Sequence, residues 1–114
     1  MEKLLAFHFS DTEFKTLRRA ARGLQIPCEA VDPADYTQTL EALAAGRKNP
    51  AVCPHTGGVP EKRLILICGL SDKRLDALLA ALKKAGVQTD YKAVLTASNR
   101  RWTVLRLLLA LDAE

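Results

Sequence analysis

The sequence predicts an α/β fold: two similar β-α-β-α halves form one four-stranded, mostly parallel sheet with helices on both faces. Three observations point there. Two continuous apolar runs, LLAFHFSD from Leu4 and LILICGLSD from Leu64, each end in Ser-Asp. A stretch of helical spacing follows each run. Neither run alternates apolar with polar residues, which is the pattern of a strand buried on both faces. A two-layer ferredoxin-like arrangement is the alternative, because it too holds two βαβ halves, but it lacks the extra helix that closes each half here.

Taken in order, the strand from Leu4 leads into a helix whose inward stripe is Phe14, Leu17, Ala21 and Leu24. Ser10 with Glu13 has the spacing of a capping box, and Asp11 sits in the first turn, where a carboxylate favours the helix dipole. Gly23 predicts the left-handed end of that helix. A short strand over Ile26 to Val31 follows. Asp32-Pro33-Ala34-Asp35 then offers an N-cap and a proline at N1 for a helix that turns Tyr36, Leu40 and Leu43 inward. In the second half Leu75, Leu78, Leu79 and Leu82 line a helix ending at Gly86, and Tyr91 to Thr96 forms a strand whose Ala93-Val94 matches Ala30-Val31. Ser98 predicts the cap of a final helix from about Asn99 to Asp112. Right-handed crossovers make the strands of each half a parallel pair.

Halves 1–45 and 63–114 therefore read as one domain over 1–114. Between them Gly46 to Lys62, GRKNPAVCPHTGGVPEK, has neither hydrophobic period and predicts a long mobile connection. With 114 residues the chain has room for a single core. Its opening apolar run is too short for a signal segment or a membrane span, and three cysteines without paired spacing argue against a disulfide framework. These features place it in the cytoplasm, away from membranes. Lys+Arg 17 against Asp+Glu 13 permits an acidic partner without demanding one.

The segment LILICGLSDKRLDALLAALKKAGVQTDYKAVLTASNRRWT resembles an uncharacterised prokaryotic family catalogued as domain of unknown function 3783. The resemblance covers the C-terminal half, Leu64 to roughly Leu111. It rests on the strand ending in Gly-Leu-Ser-Asp, the Lys-Ala-Gly helix end, Lys92-Ala93-Val94-Leu95-Thr96 and Asn99-x-x-Trp102. It implies a domain and no chemistry, and the Cys53-Pro54-His55 loop lies outside it.

Candidate sites follow from where strands hand over to helices. If the first and third strands are neighbours, Asp11 and Asp72 converge at the C-terminal edge of the sheet with Ser10, Ser71, Thr96 and Asn99. Helix N-termini there offer amides to an anion or nucleotide, and two carboxylates can hold magnesium. The ordinary duty of Ser10-Asp11 and Ser71-Asp72 is to start helices, and no phosphate-cradling glycine motif is present. Cys68 with His8 is the one nucleophile-base pair to consider, and it reads more naturally as core and strand end. Cys53 and His55 lack zinc-site spacing. No catalytic residue, metal site or cofactor is therefore assigned. Lys15, Arg18, Arg19 and Arg22 share a helix face, but stacking aromatics are few, so nucleic-acid binding is a minor alternative.

The last helix has almost no polar face. With Leu105, Leu108 and Leu111 turned to the sheet, Trp102, Val104, Leu107 and Leu109 are left as a candidate interface. The leading expectation is a small binding or regulatory module acting through protein contacts, with self-association as a homodimer. An enzymatic or anion-binding domain at the strand edge is the second reading.

Overall fold

The computed structural model describes residues 2–113. In chain order it contains β1 (Lys3–Phe7), α1 (Asp11–Arg22), β2 (Cys28–Val31), a 3-10 turn at Pro33–Asp35, α2 (Leu40–Ala45), β3 (Leu64–Cys68), α3 (Asp72–Ala85), β4 (Tyr91–Val94) and α4 (Val104–Asp112). The four strands make one sheet in the order β2-β1-β3-β4. β1 runs parallel to β2 and β3 parallel to β4, while β1 and β3 pair antiparallel at the centre. Two of the three pairings are thus parallel, one within each half.

The central strands are buried along their whole length because helices cover both faces. On one face Leu4, Ala6, Ile65 and Ile67 pack with Leu17 and Ala21 of α1 and Leu78 and Leu82 of α3. On the other, Leu5, Phe7, Leu64 and Leu66 pack with Tyr36, Leu40 and Leu43 and with Val104, Leu107 and Leu108 of α4. The ferredoxin-like alternative, with all helices on one side, is excluded by this division. Each fully buried leucine contributes about 1.5–3 kcal/mol by leaving water, so the two helical layers matter comparably.

Aligning Ser10 with Ser71 matches Leu5 to Leu66, and these two residues are also each other's partners across the central pair. Thr39 and Thr103 meet in the same way through an isolated antiparallel bridge. Each threonine caps its helix, Thr39 accepting from the Ala42 amide and Thr103 from the Arg106 amide. The helix starts also satisfy one another's orphan amides. Leu40 N donates to Trp102 O and Glu41 N to Arg100 O, and Leu105 N donates to Tyr36 O. That mutual support sustains α2, which at six residues is too short to stand alone.

Several sequence expectations need correcting. Asp32 caps only a 3-10 turn, and the second helix of the first half begins eight residues later, at Leu40. Ser98 starts no helix; 97–102 is turn, and α4 begins at Val104 under Thr103. In both halves the bridging threonine outcompeted the earlier cap, because it answers to a partner across the molecule. Gly23 is right-handed at φ −58°, and the left-handed position at the end of α1 falls to Gln25. Leu4 pairs with Cys28 and its counterpart Ile65 with Lys92, so Ala30 corresponds to Val94 and Val31 to Leu95. The sequence match of Ala30-Val31 to Ala93-Val94 was one residue out of register, which exchanges the faces.

Segment 46–62 has neither helix nor strand. It is fastened along the 3-10 turn: Gln38 and Asn49 exchange two hydrogen bonds, Thr37 Oγ1 donates to Cys53 O, and His55 N donates to Ala34 O. One buried strand position is polar. Lys3, opposite Cys68 in the central pair, sends its ammonium to the Leu43 and Ala44 carbonyls at the end of α2, with Glu29 Oε2 at 3.1 Å. A cation suits a helix C-terminus, where unpaired carbonyls concentrate negative charge.

Candidate functional site

At the C-terminal end of β1 a cleft of about 640 Å³ is lined by His8, Ser10, Glu13, Glu61, Arg63 and Asp90 among others. Its one guanidinium, Arg63, is paired with two of its three carboxylates, Glu13 and Asp90. Ser10 Oγ accepts from Glu13 N, and Glu13 answers by accepting from Ser10 N, completing the expected capping box. Arg63 Nη1 donates to Glu13 Oε2 at 2.6 Å, and Arg63 N donates to Asp90 Oδ2 at 2.8 Å. The Ser10 amide and then the Arg63 guanidinium hold Glu13 below the usual carboxylate range, and the Arg63 amide does the same for Asp90. With the amide of Ser10 occupied by Glu13 and Asp11 beside it, this helix start repels an anion.

The expected convergence of Asp11 with Asp72 does not occur. Because β1 and β3 run antiparallel, Phe7 lies opposite Leu64 and Lys3 opposite Cys68, so Ser10-Asp11 and Ser71-Asp72 follow opposite ends of the sheet. Thr96 and Asn99 fall on the Asp72 side, after β4. Both are engaged in their own loop: Thr96 N donates to Asn99 Oδ1, Asn99 N to Thr96 Oγ1, and Asn99 Nδ2 to Val94 O. Ser71 caps the Arg74 amide.

The same antiparallel pairing separates His8 from Cys68, which therefore have no nucleophile-base geometry. Burial pushes the Cys68 thiol up to about 11, the opposite of the activation a strand end near a helix start would give. Cys28 is likewise pushed up to about 11 by burial. His55 meets the Gly58 carbonyl through Nε2. Among the described residues no group of three His, Cys, Asp or Glu is placed to hold a metal.

On α4 the candidate interface divides. Val104 and Leu107 are buried against the sheet and take no part in a surface, a correction to the expectation that they are exposed. The helix begins four to five residues later than the sequence reading placed it, and its inward stripe is Val104, Leu107 and Leu108. Leu109 is 67% exposed. Trp102 is partly buried, with the Arg106 guanidinium 4.5 Å from its ring centroid, a cation–π contact. The exposed residues of α4 are Arg106, Leu109 and Asp112, and Asp112 also accepts from the Tyr91 hydroxyl.

Residues 63–114 match the DUF3783 family, a domain of unknown function. No curated protein and no solved structure matches the chain. The DUF3783 segment comprises β3, α3, β4 and α4, so it holds the whole second half together with Arg63, whose partner Glu13 lies in the first. Outside the DUF3783 segment, α1 carries exposed Lys15, Arg18, Arg19 and Arg22. No helix among the described residues is long and apolar enough to cross a membrane. The sequence reading missed Arg63 and Arg106. Arg106 had a legible signal, its four-residue spacing from Trp102; Arg63 had none, since its partners are 50 and 27 positions away.

Proposed function

We propose that the chain is a small protein-binding or regulatory module that pairs with a second copy of itself along the outer face of α4. The observation carrying this reading is the order Arg106, Leu109, Asp112 on the exposed side of that helix. A two-fold axis through Leu109 sets two such helices antiparallel. Leucine then meets leucine, and each arginine meets the other copy's aspartate, which is the self-complementarity an isologous interface requires. Further support is that Ser10, Ser71, Thr96 and Asn99 of the strand-edge set are engaged within the chain, and that Leu109, at 67%, is more exposed than Val94, at 42%, the other large apolar side chain on the surface among the described residues. Three free thiols fit a reducing cytoplasmic setting, and the matching order of elements in the halves fits an internal duplication.

Light scattering across a concentration series tests the reading. The expected result is a concentration-dependent dimer that Leu109→Asp reduces to monomer without loss of helical signal. Arg106→Asp weakens the dimer, and adding Asp112→Arg to that variant restores it. A chain that stays monomeric at the highest attainable concentration overturns the proposal.

A further inference from the structure

We infer that the outer edge of β2 is a docking strand for an extended acidic segment of another protein. β2 ends the sheet, and the Ala30 and Glu29 side chains are exposed. Leu4 N donates to Pro27 O, and in a parallel ladder alternate residues face the same neighbour, so Pro27, Glu29 and Val31 bond to β1. The amides and carbonyls of Cys28 and Ala30 consequently point outward. A peptide laid along them would be held by backbone hydrogen bonds, with its side chains falling alternately on the two faces of the sheet.

A groove waits on each face. The one beside α1, about 380 Å³, is lined by Arg18, Arg22, Ile26 and Cys28. The one beside α2, about 340 Å³, is lined by Val31, Leu43 and the Lys48–Asp35 ion pair among others, so its walls are apolar with a neutral charge pair. Neither Arg18 nor Arg22 forms an ion pair among the described residues, whereas the acid of the strand itself, Glu29, is neutralised by Lys3. Residues four apart on a helix stand roughly 5–6 Å apart, and alternate side chains of a strand roughly 6.6 Å apart. Two carboxylates at alternate positions of the bound segment therefore reach Arg18 and Arg22, while the intervening side chains meet Val31 and Leu43. A second copy of β2 fits less well, because antiparallel pairing of two β2 edges would bring the two arginine faces together. Nucleic acid would use the arginines but has no use for the open edge. The inference is independent of pairing through α4.

The test uses the full chain and a fluorescein-labelled octapeptide of alternating Glu and Val, followed by anisotropy at low ionic strength, with the alternating Lys and Val peptide as control. The acidic peptide is expected to bind and the basic one not. Arg18→Glu with Arg22→Glu should weaken binding at least about tenfold, and Ala30→Pro should abolish it, since proline removes an outward amide that β1 does not use. On the unmodified chain, amide resonances of Cys28 and Ala30 should shift on titration while those of Lys92 and Val94, the matching positions of β4, stay in place. The inference is overturned by absence of saturable binding, by unshifted Cys28 and Ala30 amides, or by binding indifferent to Ala30→Pro. It is equally overturned by an oligo(dT) that binds as tightly as the peptide, or by a β2-mediated dimer that Ala30→Pro dissolves.

Discussion

His8 and Gln25 both occupy the left-handed backbone region, at φ 66° and 60°. Gly69, the counterpart of His8, holds the same conformation at φ 74°, so the turn after each central strand demands it, and only the second half meets the demand with the residue best suited. Left-handed backbone costs a residue with a side chain roughly 1–2 kcal/mol, part of which glycine returns as lost chain entropy. His8→Gly and Gln25→Gly should each stabilise the chain by about 0.5–1 kcal/mol, read as a higher urea midpoint. Residues whose partners are near were legible in the sequence: Ser10 with Glu13 follows from a spacing of three. Arg74, which grips both oxygens of Glu2 and the Leu24 carbonyl, was invisible because its partners lie 72 and 50 positions away.

Among the elements, Arg63 joins three: the start of β3, α1 through Glu13, and the start of β4 through Asp90. Both carboxylates are held below their ordinary range, by the Ser10 amide and Arg63 for Glu13 and by the Arg63 amide and side chain for Asp90. A carboxylate more acidic in the folded chain than in the unfolded one contributes stability above its ordinary range and loses it as the pH falls through that range. The wild-type urea midpoint should therefore decline between roughly pH 5 and 3, and Arg63→Ala should lower the midpoint at neutral pH and flatten the decline. A decline of equal slope in the variant would remove Arg63 from the account. Element types were readable because burial on both faces and helical stripes are local patterns. Their starting points were not, because Thr39 and Thr103 cap where they meet across the molecule, and a bridge between distant residues leaves no periodic mark.

For the whole molecule, the two-face architecture was legible from the oily strands at Leu4 and Leu64, but the direction of their pairing was not. A parallel or an antiparallel centre buries the same side chains, and only the antiparallel one sends Asp11 and Asp72 to opposite ends. Most of the candidate site was lost with that single sign. The antiparallel centre also creates a problem of self-recognition. Two greasy segments of like character, each able to zip onto its own kind, could marry a neighbouring molecule as readily as each other. Lys3 is the odd stitch in that zip: its ammonium finds a home only where the carbonyls of Leu43 and Ala44 and the acid of Glu29 stand ready. Lys3→Leu should refold from urea in lower yield at high concentration, the shortfall appearing as sedimenting polymer, and an undiminished yield would show that the amine guards nothing. Fidelity of assembly, on this view, is entrusted to one buried cation that a purely oily strand would have no means to replace.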